Sequence, residues 1–277
     1  MVQNIGLMIT NNEEDCIEEI MNEHTRYFDK ILVLDGSADR TEEIIRSYSQ
    51  VKYFLKDKDI LDKMPKKSFE DGARQFLLAK AQEMFPVEGW FTLLHGDEVF
   101  HDDPNWVAQE AEKAGAEKVN WYTMSFFLHT SDKGRDLEAI KSVQERIRWY
   151  CPGYVEIRQF KNKPGIYYDL AQEDNVLPRG IGWRIYKHFP NFKHYPYRSV
   201  AAIFKKKKTH QTTGFSNNLL DIESVDDCYY DILPGCKVAR RFDGSFHEFE
   251  IKNQGSLFRR WLMAHRYQPV RVGPFSF

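Results

Sequence analysis

Four short apolar runs, each ending in polar or turn-forming residues, constrain this chain more than any other feature. Residues 5–9, 31–34, 51–55 and 90–94 are too short for apolar helices and read as buried strands. Helical patterns separate them. After the first run, Asn12 offers a cap, Glu13, Glu14 and Asp15 supply an acidic first turn, and Ile17, Ile20, Met21 and His24 follow at helical spacing. The second run ends in the turn signal Asp35-Gly36-Ser37, and a helix is expected from about Thr41 through Ile44, Ile45 and Tyr48. Residues 69–85 predict a longer helix with Phe76, Leu77, Ala81 and Met84 inward. A short helix should follow Asp103-Pro104, and residues 119–128 read as another strand. Strands alternating with helices build βαβ units, so the expected class is α/β with a mostly parallel sheet flanked by helices.

The second half is less regular. Residues 137–150 are charged and read as a helix, and 154–160 alternate like a strand. Residues 161–199 are rich in Pro, Gly, Tyr and His, which predicts functional loops. Near the end, only 257–265 looks helical, with Ser256 as its cap. The expected organisation is a regular strand–helix half over 1–105, a less regular half over 106–205 and a C-terminal extension over 206–277.

The 277 residues are enough for one large domain or a domain with an extension. A net charge of -2 excludes the molecule as a whole as an electrostatic partner of nucleic acid or an anionic membrane, while leaving room for local basic patches. One such patch is Lys205, Lys206, Lys207 and Lys208, which as a bare charge run reads as a solvated face. The first residues hold no basic leader, and no run reaches the roughly 18 apolar residues of a membrane span. Cys16, Cys151, Cys228 and Cys236 have no CxxC spacing and read as thiols in a reducing compartment. The cytoplasm is therefore the expected location.

Ligands of open parallel sheets bind outside the carboxyl ends of the strands. Here those ends carry Thr10-Asn11-Asn12-Glu13, Asp35, the approach to Gly72-Ala73-Arg74, and His95-Gly96-Asp97-Glu98. Acidic clusters on one edge repel unless a cation or a hydroxyl-rich ligand lies between them. A phosphate-bound metal and a ribose would supply both.

Taken in order, these pieces resemble the inverting family 2 glycosyltransferases of the GT-A fold, over about the first 105 residues. The resemblance implies transfer of a sugar from a UDP- or GDP-linked donor to a hydroxyl of a glycan or another acceptor. It places the donor nucleotide at Thr10, Asn12, Glu13, Asp35, Arg74, His95, Gly96 and Arg198, with Asp35 on the base or ribose and Arg74 near the diphosphate. The family's Asp-x-Asp motif corresponds to His95-Gly96-Asp97, so Asp97 is the expected ligand of Mn²⁺ or Mg²⁺, with Glu98 beside it. His95 stands where the family has its first acid, which lowers the charge offered to the metal. Gln172-Glu173-Asp174 resembles the element that carries the general base, with Asp174 preferred over Glu173. His194-Tyr195-Pro196-Tyr197-Arg198-Ser199 resembles an element in which the histidine completes the metal site.

Two other readings compete. A sugar nucleotidyltransferase opens on a glycine-rich basic loop after the first strand, and Thr10-Asn11-Asn12-Glu13 is acidic and lacks glycine. A degenerate family member that only binds carbohydrate or a partner would account for His95. Self-association through the arginine-rich tail, Arg240, Arg241, Arg259, Arg260, Arg266 and Arg271, stays open.

Overall fold

The computed structural model describes residues 2–56, 69–86, 89–168, 178–213, 222–246 and 249–251. The chain divides into two units, Met1–Trp121 with Glu156–Phe189, and Tyr122–Val155 with Pro190–Phe277. Among the described residues, no helix is long and apolar enough to cross a membrane.

In the first unit, β1 (Asn4–Thr10), β2 (Ile31–Asp35), β3 (Val51–Lys56) and β4 (Gly89–His95) lie parallel in the order β3-β2-β1-β4. Short β5 (Glu98–Phe100) follows β4, and β6 (Lys118–Phe127) begins here. The end of β7 (Trp149–Asn162) adds antiparallel to β4, pairing Phe91 with Phe160. The connecting helices are α1 (Ile17–His24), α2 (Thr41–Arg46), α3 (Phe69–Met84) and α4 (Pro104–Lys113).

The period-2 and period-3.6 patterns meet in one core. Ile5, Leu7, Leu32, Leu34, Phe91 and Leu93 alternate along their strands and face Ala73, Leu77, Leu78 and Ala81 of α3. The strands are buried on both faces, which explains why they read as continuous apolar runs. On the other face, His24, Phe28, Phe100 and Trp121 form a ring cluster, Phe100 and Trp121 meeting edge-on at 4.8 Å. Asp103 starts α4 by accepting hydrogen bonds from Asn105 N (2.7 Å) and Trp106 N (3.3 Å), with Pro104 in the first turn.

The second unit holds the rest of β6 and β7. It also contains β8 (Asn191–Tyr197), parallel to β6, and β9 (Arg240–Arg241), antiparallel to the start of β7. Its core is aromatic: Phe126 lies 4.8 Å from Tyr195 and 5.5 Å from Tyr150, with Phe242 and Phe246 packed around them.

Three local expectations change in the structure. Only α5 (Val143–Arg146) of the helix expected over 137–150 forms, because the Ser142 hydroxyl caps Glu145 N at 3.2 Å and β7 already begins at Trp149. Residues 161–199 are not all loop, since β8 lies within them. A helix α6 (Val200–Thr213) contains the lysine run, started by the Ser199 hydroxyl accepting from Ala202 N at 3.0 Å. The helix expected at 257–265 lies outside the described residues, as do Glu173 and Asp174.

Candidate active site

The loops after β1 and β2 are fastened together. Asn12 adopts a left-handed φ of 62°, which asparagine tolerates better than most residues. Its backbone N donates to Ser37 Oγ (2.6 Å) and its Oδ1 accepts from Ala38 N (2.7 Å). Glu13 N donates to Thr41 Oγ1 (2.8 Å), and Thr41 in turn donates to Asp39 Oδ1 through both its N (3.0 Å) and its hydroxyl (2.6 Å).

These fastenings fix Asp35 at the carboxyl end of β2. It is fully buried, and its Oδ1 accepts from Thr10 Oγ1 (2.8 Å), Ser37 N (3.1 Å) and the Ser37 hydroxyl. Its Oδ2 is equally buried and has no hydrogen-bond partner among the described residues. A buried carboxylate oxygen without a donor is costly.

At the end of β4, His95, Asp97 and Glu98 each offer a ligand atom, and the three atoms lie within 4.8 Å of one another. Gly96 permits this turn to sit against Glu13, because a Cβ at position 96 would collide with Glu13 Oε2. His95 Nδ1 lies 3.8 Å from Glu98 Oε1. Glu98 is held by Arg158 on β7, Nη2 to Oε1 at 2.6 Å, and the same nitrogen reaches Glu156 Oε1 at 2.6 Å. Burial pushes the Glu98 carboxyl well above the usual range. Asp97 and Glu156 push it the same way, and Arg158 and Arg74 oppose them. Arg158 and Arg74 face three carboxylates here, Asp97, Glu98 and Glu156, and the excess negative charge adds to the effect of burial. Beneath this edge, His24 is buried, and its pKa falls to about 4 because burial disfavours the charged ring, with the backbone of His95 acting weakly the other way.

An imidazole and two carboxylates form a donor set suited to a divalent cation, and their surplus charge is what such an ion would relieve. The residues present therefore fit the metal that the sequence suggests.

The first unit thus brings together Thr10 with Asp35, Glu13 with Gly96, and His95 with Asp97 and Glu98. Arg74 lies buried on α3, close enough to act electrostatically on Glu98. His194, on β8, and Arg198, buried with Nη1 donating to Tyr195 O at 3.4 Å, belong to the second unit. Sequence reasoning missed Glu156 and Arg158. Their signal was an opposite-charge pair two residues apart in the segment read as an alternating strand.

Residues 7–171, more than half of the chain, match the model of glycosyl transferase family 2, and the chain belongs to that family. The mostly parallel α/β architecture agrees with the GT-A fold that the resemblance implied. No curated protein matches the chain. Among solved structures, one similar chain is the mannose-1-phosphate geranyltransferase from Thermus thermophilus. It is 13% identical, with 82% of this chain and 67% of that one covered and a TM-score of 0.30, a likeness too remote to bear on function.

Proposed function

We propose that this protein moves a sugar from a nucleotide-diphosphate donor to an acceptor hydroxyl, with inversion and with help from Mn²⁺ or Mg²⁺. One observation carries the reading. The partnerless Asp35 Oδ2 and the His95, Asp97 and Glu98 cluster occupy the same carboxyl edge of one parallel sheet.

Each side chain then has a task. Asp35 would accept from the base or ribose, with Thr10 and Ser37 holding its other oxygen in place. Asp97, Glu98 and His95 would hold the metal, whose chemistry is to offset charge on the departing diphosphate. An imidazole in the set favours Mn²⁺ over Mg²⁺. Arg158 would orient Glu98, and Arg74 would add positive charge near the phosphates. Asp174, with Glu173 second, is proposed as the base that takes the acceptor proton, on the resemblance alone. His194 and Arg198 are proposed as a further metal ligand and phosphate clamp on the same ground. The acidic β1 loop, tied to Ser37, Ala38 and Thr41, argues against the nucleotidyltransferase alternative.

Titration calorimetry with UDP and GDP, each with and without Mn²⁺, tests the reading. One nucleotide should bind, and bind more tightly with the ion. Failure of every nucleotide to bind would remove it. Donor hydrolysis by the wild type, absent in Asp97→Asn, would separate an enzyme from a degenerate binding module.

A further inference from the structure

The first unit has a second distinctive edge, at the opposite end of its sheet. There the chain around residues 183–187 runs beside the start of β6: Glu117 N donates to Arg184 O (2.8 Å) and Tyr186 N to Lys118 O (2.9 Å). Glu117 O accepts from Lys161 N (2.9 Å), and Asn162 pairs with Gly89, the first residue of β4. His95 ends that strand, so this edge lies about 20 Å from the candidate active site, at about 3.3 Å per residue.

Strand-like alternation buries Tyr186 and turns its neighbours out. Ile185 is 48% exposed and Trp183 is 84% exposed. An indole left almost wholly in water is unusual for so large an apolar group. The turn that presents it is anchored. Glu117 is buried and ion-paired to Lys163 and to Arg184 Nε (3.5 Å), and a Cβ at Gly182 would collide with the Glu117 carboxylate. The backbone that carries Trp183 is therefore seated against a fixed ion-pair cluster.

Charge along this stretch of chain has one sign. Within the first unit, residues 178–189 contain three cations, Arg179, Arg184 and Lys187, and no Asp or Glu, in a chain whose net charge is -2. Arg179, Arg184 and Lys187 of that stretch are exposed near Trp183 and Ile185 in the sequence. A matching partner must be anionic and must also accept an indole and an aliphatic side chain. Single-stranded nucleic acid would stack on the indole but offers nothing to Ile185. The headgroup zone of an anionic bilayer takes all three kinds of group.

We propose that this edge docks the protein on an anionic membrane surface. Trp183 and Ile185 enter the headgroup layer, and Arg179, Arg184 and Lys187 meet lipid phosphates. The carboxyl edge of the sheet stays in water about 20 Å away. None of these residues belongs to the candidate active site, so docking and nucleotide binding can be measured apart.

Co-sedimentation of the full chain with phosphatidylcholine vesicles, with and without phosphatidylserine, tests it. Binding should require phosphatidylserine and weaken as salt rises. The double variant Trp183→Ala/Ile185→Ser should bind about tenfold more weakly or worse, with an unchanged melting temperature and unchanged nucleotide binding. Four results overturn the proposal. They are no binding to phosphatidylserine vesicles, full binding by the double variant, loss of binding only when Lys205, Lys206, Lys207 and Lys208 become Gln, or a homodimer in solution that Trp183→Ala breaks.

Discussion

The two ends of the first unit's sheet solve opposite problems. At the carboxyl end, Asp35 Oδ2 is buried with no hydrogen-bond partner among the described residues, and Glu98 is pushed toward its neutral form by burial and by the Asp97 and Glu156 carboxylates. At the amino end, the buried acid Glu117 is engaged by Lys163 and Arg184, and it is the surface that carries the anomaly, an exposed Trp183 among cations. The Lys163 ammonium, bonded to Glu117, and the Arg184 guanidinium hold the Glu117 carboxyl below the usual range against the opposing effect of burial, the reverse of Glu98. On the proposed function and docking, the carboxyl edge offers its polar capacity to a small ligand, whereas the other edge satisfies its buried acid internally and offers apolar surface to a large partner.

Variants can test each side of that difference. The largest effect is expected from Arg158→Met, which leaves buried Glu98 and half-buried Glu156 without that cation and should cost about 3–5 kcal/mol of stability in a denaturant titration. Adding Glu98→Gln should restore part of it, and strict additivity would contradict the coupling.

The pH dependence comes next. Unfolded His24 takes up its proton near 6.5 and folded His24 only near 4, so between those values the unfolded state binds more protons. Its contribution is complete above pH 6.5 and is lost as pH falls toward 4, about 3 kcal/mol in all. The difference between the wild-type and His24→Leu stability curves should isolate that slope; parallel curves would show that His24 does not titrate in this way.

Asp35→Asn keeps the shape of the site but replaces an accepting oxygen with a donor. Nucleotide affinity should fall about tenfold or more by calorimetry, a loss of about 1.4 kcal/mol, while stability changes little. The smallest effect belongs to the other edge: Trp183→Ala should leave stability within about 0.5 kcal/mol of wild type. A large loss there would mean that the indole is packed against something and is no docking group.

The first four strands were legible because each is a short, mostly apolar run, β1, β2 and β4 buried on both faces, and the polar ends of the runs mark the carboxyl edge. The His95, Asp97 and Glu98 cluster was visible because all its members come from one turn. Glu156 and Arg158 were not, since they reach Glu98 only through antiparallel pairing from a strand whose Arg158 lies 60 residues further along the chain. β7 was read too short because Pro152 and Gly153 argue against a strand. Gly153 is there for close approach: a Cβ would meet Thr123 O at 3.0 Å. Helix α6 was hidden by its own lysines, which mask the apolar period, although Ser199 was a usable cap signal. The basic, aromatic edge escaped because whole-chain charge averages it away: Arg179, Arg184 and Lys187, with no acid between 178 and 189, vanish into a net of -2.

The proposed function rests on a divalent cation held by the turn after β4 against a nucleotide diphosphate. Electron paramagnetic resonance of Mn²⁺ titrated into protein and UDP or GDP reads this without an acceptor. One tightly held ion per chain is predicted in the presence of the preferred nucleotide, weakened about a hundredfold in Asp97→Asn. Equal Mn²⁺ retention by wild type and Asp97→Asn, or none by either, would contradict it.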